Sequence, residues 1–126
     1  MATTIMIVDD SKLARIVAGK AVAALQPDWT RVEAGNAEEA LALLRQGGID
    51  LALLDFNMPG QDGLALAGEI RALQPELPLA IITANVQDEI IGRARAINAS
   101  FVPKPVTEEA LRGFLSGAAL RLRKRG

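Results

Sequence analysis

Ile49-Asp50-Leu51-Ala52-Leu53-Leu54-Asp55-Phe56-Asn57-Met58-Pro59-Gly60-Gln61-Asp62-Gly63 is the stretch on which the fold turns. From Ile49 to Leu54 it is an almost unbroken apolar run of strand length, which predicts a strand buried on both faces. The run ends in a carboxylate, Asp55, and then in the turn signals Pro59-Gly60 and Asp62-Gly63. Working outward, the same pattern recurs. Ile5 to Val8 is an apolar run ending in Asp9-Asp10. Leu79 to Ile82 ends at Thr83, and the short run Ser100 to Val102 leads into Pro103-Lys104-Pro105. Thr30 to Ala34 supplies one more short strand, the second in chain order.

Helical spacing fills the intervals. Asp10 or Ser11 opens a helix carrying Leu13, Ile16, Val17 and Ala21, stopped by Pro27. Asn36 followed by Glu39 resembles a capping box, and Gly47-Gly48 ends that second helix. Leu64 to Leu73, Val86 to about Ile97, and a segment capped by Thr107 and reaching about Leu122 are the third, fourth and fifth helices. Five βα units in series predict an α/β domain, a five-stranded parallel sheet with helices on both faces. The flavodoxin-like doubly wound order 2-1-3-4-5 suits this length, whereas a (β/α)8 barrel needs roughly twice as many residues. We expect one domain over 1–126, with its core at about 4–122 and a basic tip at 121–126.

Composition narrows the chemistry. The 126 residues are 50% hydrophobic and 23% charged, which fits a folded domain rather than a disordered one. With no Cys and no His, thiol nucleophiles, His-ligated metals and His-based triads are excluded. No apolar stretch approaches the ~20 residues needed to span a bilayer, so no membrane association and a cytoplasmic location are expected. Net charge is −1, and Arg121, Arg123, Lys124 and Arg125 crowd the last six residues, leaving the rest acidic. Cations there suit the negative pole of a helix dipole, and nucleic-acid binding is not expected within this chain.

In an open α/β sheet the site lies beyond the carboxyl ends of the strands, where strand order reverses. Asp9, Asp10, Asp55, Thr83 and Lys104 all fall on that rim. Two like charges about 4 Å apart cost roughly 4 kcal/mol at an effective dielectric of 20. Either one carboxylate is protonated or a cation sits among them. With oxygen ligands only, that cation is Mg²⁺, with Mn²⁺ or Ca²⁺ as substitutes. A carboxylate, a divalent ion, a lysine and a hydroxyl around one crevice suit phosphoryl transfer, with the carboxylate able to form an aspartyl phosphate.

At Asp9-Asp10-Ser11, Asp55 with Met58-Pro59-Gly60-Gln61-Asp62-Gly63, Thr83-Ala84 and Lys104-Pro105, the chain resembles the response-regulator receiver domain of two-component signalling. The resemblance implies that Asp55 is the phosphoacceptor. It implies that Asp10, Asp55 and the backbone carbonyl of Asn57 ligate Mg²⁺, with Asp9 acting through a water. Lys104 would pair with the phosphoryl group, next to a cis Lys104-Pro105 bond, and Thr83 would move to hydrogen-bond it. Phe101 stands where the family places a switch aromatic, and a plain core role is the competing reading. The side chains of Asn57 and Asn85 would tune access of water to the aspartyl phosphate.

The implied protein is a phosphoacceptor switch rather than an enzyme, with self-catalysed phosphorylation and dephosphorylation. Its donor would be a sensor histidine kinase or a phosphotransfer protein. Its output would be a protein partner or a second copy, bound through the fourth helix, fifth strand and fifth helix, including Arg93, Arg95 and Arg112. A stand-alone chemotaxis-like regulator and a fragment of a longer regulator both fit. An Mg²⁺-dependent phosphohydrolase with an Asp nucleophile is the main rival, but it would want an acid two residues on, where Asn57 stands. A flavin or nucleotide binder would want a Gly-rich loop after the first strand, where two carboxylates stand.

Overall fold

The computed structural model describes residues 3–58, 62–84 and 87–125, with only the helical backbone of 123–125. The expected order is present: β1 (Thr4–Val8), α1 (Lys12–Leu25), β2 (Thr30–Ala34), α2 (Ala37–Gln46), β3 (Leu51–Asp55), α3 (Gly63–Leu73), β4 (Leu79–Thr83), α4 (Asp88–Ala96), β5 (Ser100–Pro103) and α5 (Glu108–Arg125). The strands form one parallel sheet in the order β2-β1-β3-β4-β5. This is the flavodoxin-like doubly wound arrangement, and the reversal of strand order lies between β1 and β3.

The period-two alternation of the strands divides the core. Ile5, Ile7, Leu51, Leu53, Ala80 and Ile82 pack under α1 and α5, against Ala18, Val22, Leu111 and Leu115. Met6, Val8, Ala52, Leu54, Leu79 and Ile81 face α2, α3 and α4, against Leu44, Leu66, Ile70 and Ile90. Each fully buried Leu or Ile contributes about 1.5–3 kcal/mol. Small residues at Ala18, Ala40, Ala67 and Ala94 bring the helices close to the sheet.

Caps start the helices as the sequence suggests. Ser11, not Asp10, caps α1, its Oγ accepting from Ala14 N at 3.2 Å. Asn36 caps α2 and Thr107 caps α5. Glu39 completes only part of a capping box, because its carboxylate accepts from Gly35 N rather than from the cap's own N–H. Gly47 and Gly48, both with φ near +85°, end α2.

Several boundaries differ from expectation. Ile49 and Asp50 precede β3, because Asp50 turns its carboxylate to accept from Thr4 N at 2.8 Å. Asp55 and Thr83 belong to their strands rather than following them. The fifth helix runs to Arg125 instead of ending near Leu122. The expected start of the fourth helix, Val86, lies outside the described residues, as do Asn85 and Pro59-Gly60-Gln61. Among the described residues no helix is long and apolar enough to cross a membrane.

Candidate functional site

Each site residue owes its position to a buried strand. Asp55 ends β3 and is 2% exposed, held in the sheet by its register with Ile82. Phe56 N donates to Ile82 O at 2.9 Å, so the chain leaves the sheet only after the carboxylate is set. Thr83 is fully buried at the end of β4, and its carbonyl accepts from Lys104 N at 3.0 Å. That bond ties the β4 end to the Lys104 turn, where the Lys104–Pro105 peptide is cis. Asp9 is buried directly after β1 and Asp10 is exposed.

Glycine is required behind Asp55. Gly63 opens α3, and its N–H donates to Phe56 O at 2.9 Å. A Cβ there would overlap the Asp55 carbonyl oxygen and stand 3.0 Å from Phe56 Cα. Asp62 caps the same helix by accepting from Ala65 N. What reads in sequence as a turn signal is therefore also the contact that lets α3 seat against the Asp55 backbone.

Carboxylate oxygens of Asp9, Asp10 and Asp55 lie within 4.8 Å of one another. Lys104 Nζ stands 2.8 Å from Asp55 Oδ1. That approach is an ion pair, and among the described residues the buried Oδ1 has no well-aligned hydrogen bond. One ammonium does not balance three carboxylates, so the crevice is negative. Burial pushes the Asp9 carboxyl above the usual range, with the charges of Asp55 and Asp10 adding to it, while the Ser11 N–H and Lys104 oppose. At neutral pH the folded state therefore carries a cost at Asp9, relieved as pH falls through its raised pKa. The Asp55 contact raises the Lys104 ammonium above its ordinary 10.5, against burial. Its stabilisation is complete below 10.5 and is lost as pH rises through the raised value.

The donor set fits a hard divalent cation: oxygen only, one buried acceptor without a well-aligned hydrogen bond among the described residues, and net negative charge. The structure brings Asp9, Asp10, Asp55 and Lys104 together, while Thr83 ends the neighbouring strand with its carbonyl on the Lys104 N–H. Asn57 is exposed beside them. Phe101 is half-buried on β5, opposite Ile81, and packs on the core beneath α3 and α4. Asn85 lies outside the described residues. Reading the sequence alone missed Arg15, whose Nη1 donates to the Asp9 carbonyl at 2.6 Å. Its signal was present but faint: a cation five residues after the acid pair, on the first turns of the helix they precede.

A doubly wound α/β domain with an acid cluster, a buried hydroxyl and a lysine on one rim defines a class of phosphoryl-handling signalling modules. Residues 5–116 match the family model for the response regulator receiver domain, and the chain belongs to that family, the receiver domains of two-component response regulators. It is 36% identical over 125 residues to the cyclic di-GMP phosphodiesterase response regulator RpfG of Xanthomonas campestris pv. campestris, covering 95% of this chain and 32% of that protein. It is 39% identical over 119 residues to the positive alginate biosynthesis regulatory protein of Pseudomonas aeruginosa, covering 91% of this chain and 46% of that protein. The chain thus spans less than half the length of these curated relatives. The crystal structure of a CheY-like receiver domain protein from Methanospirillum hungatei superposes with a TM-score of 0.89 at 22% identity, over 100% of both chains. The family is a phosphoacceptor switch.

Proposed function

We propose that Asp55 is the phosphoacceptor and that Asp10, Asp55 and the Asn57 carbonyl hold Mg²⁺, with Asp9 acting through water. The observation that carries this is the buried Asp55 carboxylate, 2.8 Å from Lys104 Nζ and clustered with Asp9 and Asp10. In the transfer, an Asp55 oxygen forms the new P–O bond as the bond from phosphorus to the donor nitrogen breaks. The electron pair leaves with the donor. Residues 1–126 contain no His, so the phosphohistidine donor lies outside them, on a histidine kinase or a phosphotransfer protein. Bound Mg²⁺ would offset the charge gathered between carboxylates and phosphoryl oxygens. Lys104 holds a positive charge at the acceptor, and the buried strand end excludes bulk water from one side of it.

The output in this reading is the α4–β5–α5 face, where Arg93, Arg95 and Arg112 are exposed and Phe101 is half-buried. Thr83 joins site to face, since it ends β4 beside β5 and its carbonyl holds the Lys104 N–H. Residues 1–126 act as one receiver unit in the cytoplasm, bound by a downstream protein or a second copy. Intact mass after incubation with a small acyl phosphate tests the first step. Phosphorylation is expected with Mg²⁺ and not with chelator, and equal incorporation in both would overturn the metal's role. Thr83→Ala should still be phosphorylated while amide exchange on α4 and β5 ceases to respond. An unchanged response would remove Thr83 from the coupling.

A further inference from the structure

Asp9 is fixed from three directions. Its N–H donates to Ala34 O on β2 at 3.1 Å, and its Oδ1 accepts from Ser11 N at 2.9 Å. Its carbonyl accepts from Arg15 Nη1 at 2.6 Å. Only the last comes from another residue's side chain. The same guanidinium gives its Nε to Glu33 Oε1 at 2.8 Å, with Arg15 17% and Glu33 49% exposed. Gly35 closes the slot: a Cβ there would stand 3.4 Å from Arg15 Nη1, and its N–H donates to Glu39 Oε1 at 2.7 Å. Arg15 thus bridges the β1–α1 turn to edge strand β2.

The carbonyl that Arg15 holds belongs to the planar peptide joining Asp9 to Asp10. A peptide plane has no soft internal torsion, so fixing its oxygen fixes the direction in which Asp10 leaves.

We propose that Arg15, braced by Glu33, is a positioning residue that sets the Asp9–Asp10 peptide for divalent-cation binding, a role that rests on the acid cluster being the Mg²⁺ site. Partners that orient metal-binding groups typically change affinity by about 10–100-fold. Calorimetric titration of the full chain with Mg²⁺ tests this, beside melting of the metal-free proteins. Asp10→Asn should lose binding. Arg15→Met should weaken it about tenfold. Arg15→Lys should recover part, since an ammonium can reach the carbonyl but cannot also keep the fork to Glu33. Glu33→Ala should weaken binding less than Arg15→Met. A purely structural arginine would instead lower the metal-free melting temperature and leave Mg²⁺ affinity at the parent value, which would overturn the proposal. If Arg15→Met does not fold, parent affinity in both Arg15→Lys and Glu33→Ala overturns it equally. If Asp10→Asn binds Mg²⁺ as the parent does, the reading of the acid cluster itself fails, a distinct result.

Discussion

At the carboxyl ends of the strands, three carboxylates crowd within 4.8 Å, and among the described residues the buried Asp55 Oδ1 has an ion pair with Lys104 but no well-aligned hydrogen bond. At the amino ends, Arg71 spends its guanidinium on five backbone carbonyls, those of Gln74, Pro75, Leu77, Ile97 and Asn98. One rim holds charge it does not satisfy, and the other satisfies oxygens that would otherwise be orphaned by turns. A groove of about 800 Å³ lies at the amino-end rim beside Arg71 and Arg121, against about 290 Å³ for one beside Asp9 and Lys104. Volume therefore does not mark the chemistry here. Unsatisfied charge does, because a binding site must keep interactions in reserve for its ligand.

The contrast breaks most sharply at Gly63. Gly63→Ala drives a methyl into the Asp55 carbonyl, so it should cost about 3 kcal/mol, the upper end for overpacking, and depress Mg²⁺ binding with it. Denaturant melts and metal titration check both, and an unperturbed variant would mean that α3 can shift freely. Arg71→Met comes next, at about 2 kcal/mol, since several carbonyls lose a charged donor and part of that loss is made good by water. Its phosphorylation should match the parent, which is the sharpest separation of the two rims. A smaller effect, about 1 kcal/mol of stabilisation without metal, is expected for Asp55→Asn. Removing a buried charge that repels Asp9 and Asp10 outweighs the loss of one Lys104 contact. Added Mg²⁺ should raise the parent's melting temperature and leave that of Asp55→Asn nearly unmoved. Least of all should Trp29 respond. It precedes β2 at the amino rim and packs against the core beneath α1 and α5. Mg²⁺ should therefore leave its fluorescence unchanged, and a strong quench would join the two rims.

The carboxyl rim was the more legible of the two. Buried parallel strands write themselves as apolar runs, and any polar residue at the end of such a run is conspicuous, which is how Asp9, Asp10, Asp55, Thr83 and Lys104 stood out. Arg71 did not, because its acceptors at Ile97 and Asn98 lie 26 and 27 residues away in a turn whose shape no local pattern encodes. Arg15 was hidden in the same way, since its partner Glu33 is 18 residues on. Asp50 misled in the opposite sense: an acid inside an apolar run reads as strand, yet it caps the start of β1 instead.

In the proposed transfer the phosphoryl group is carried by the buried Asp55 and by no other carboxylate on the rim. Borohydride reduces an acyl phosphate of aspartate to homoserine, so treating the phosphorylated protein and sequencing its peptides by mass spectrometry locates the modified residue. Homoserine should replace Asp55 alone, only after phosphorylation with Mg²⁺, and should be absent from Asp55→Asn. Homoserine at position 9 or 10, or in protein never exposed to a phosphodonor, would contradict the account.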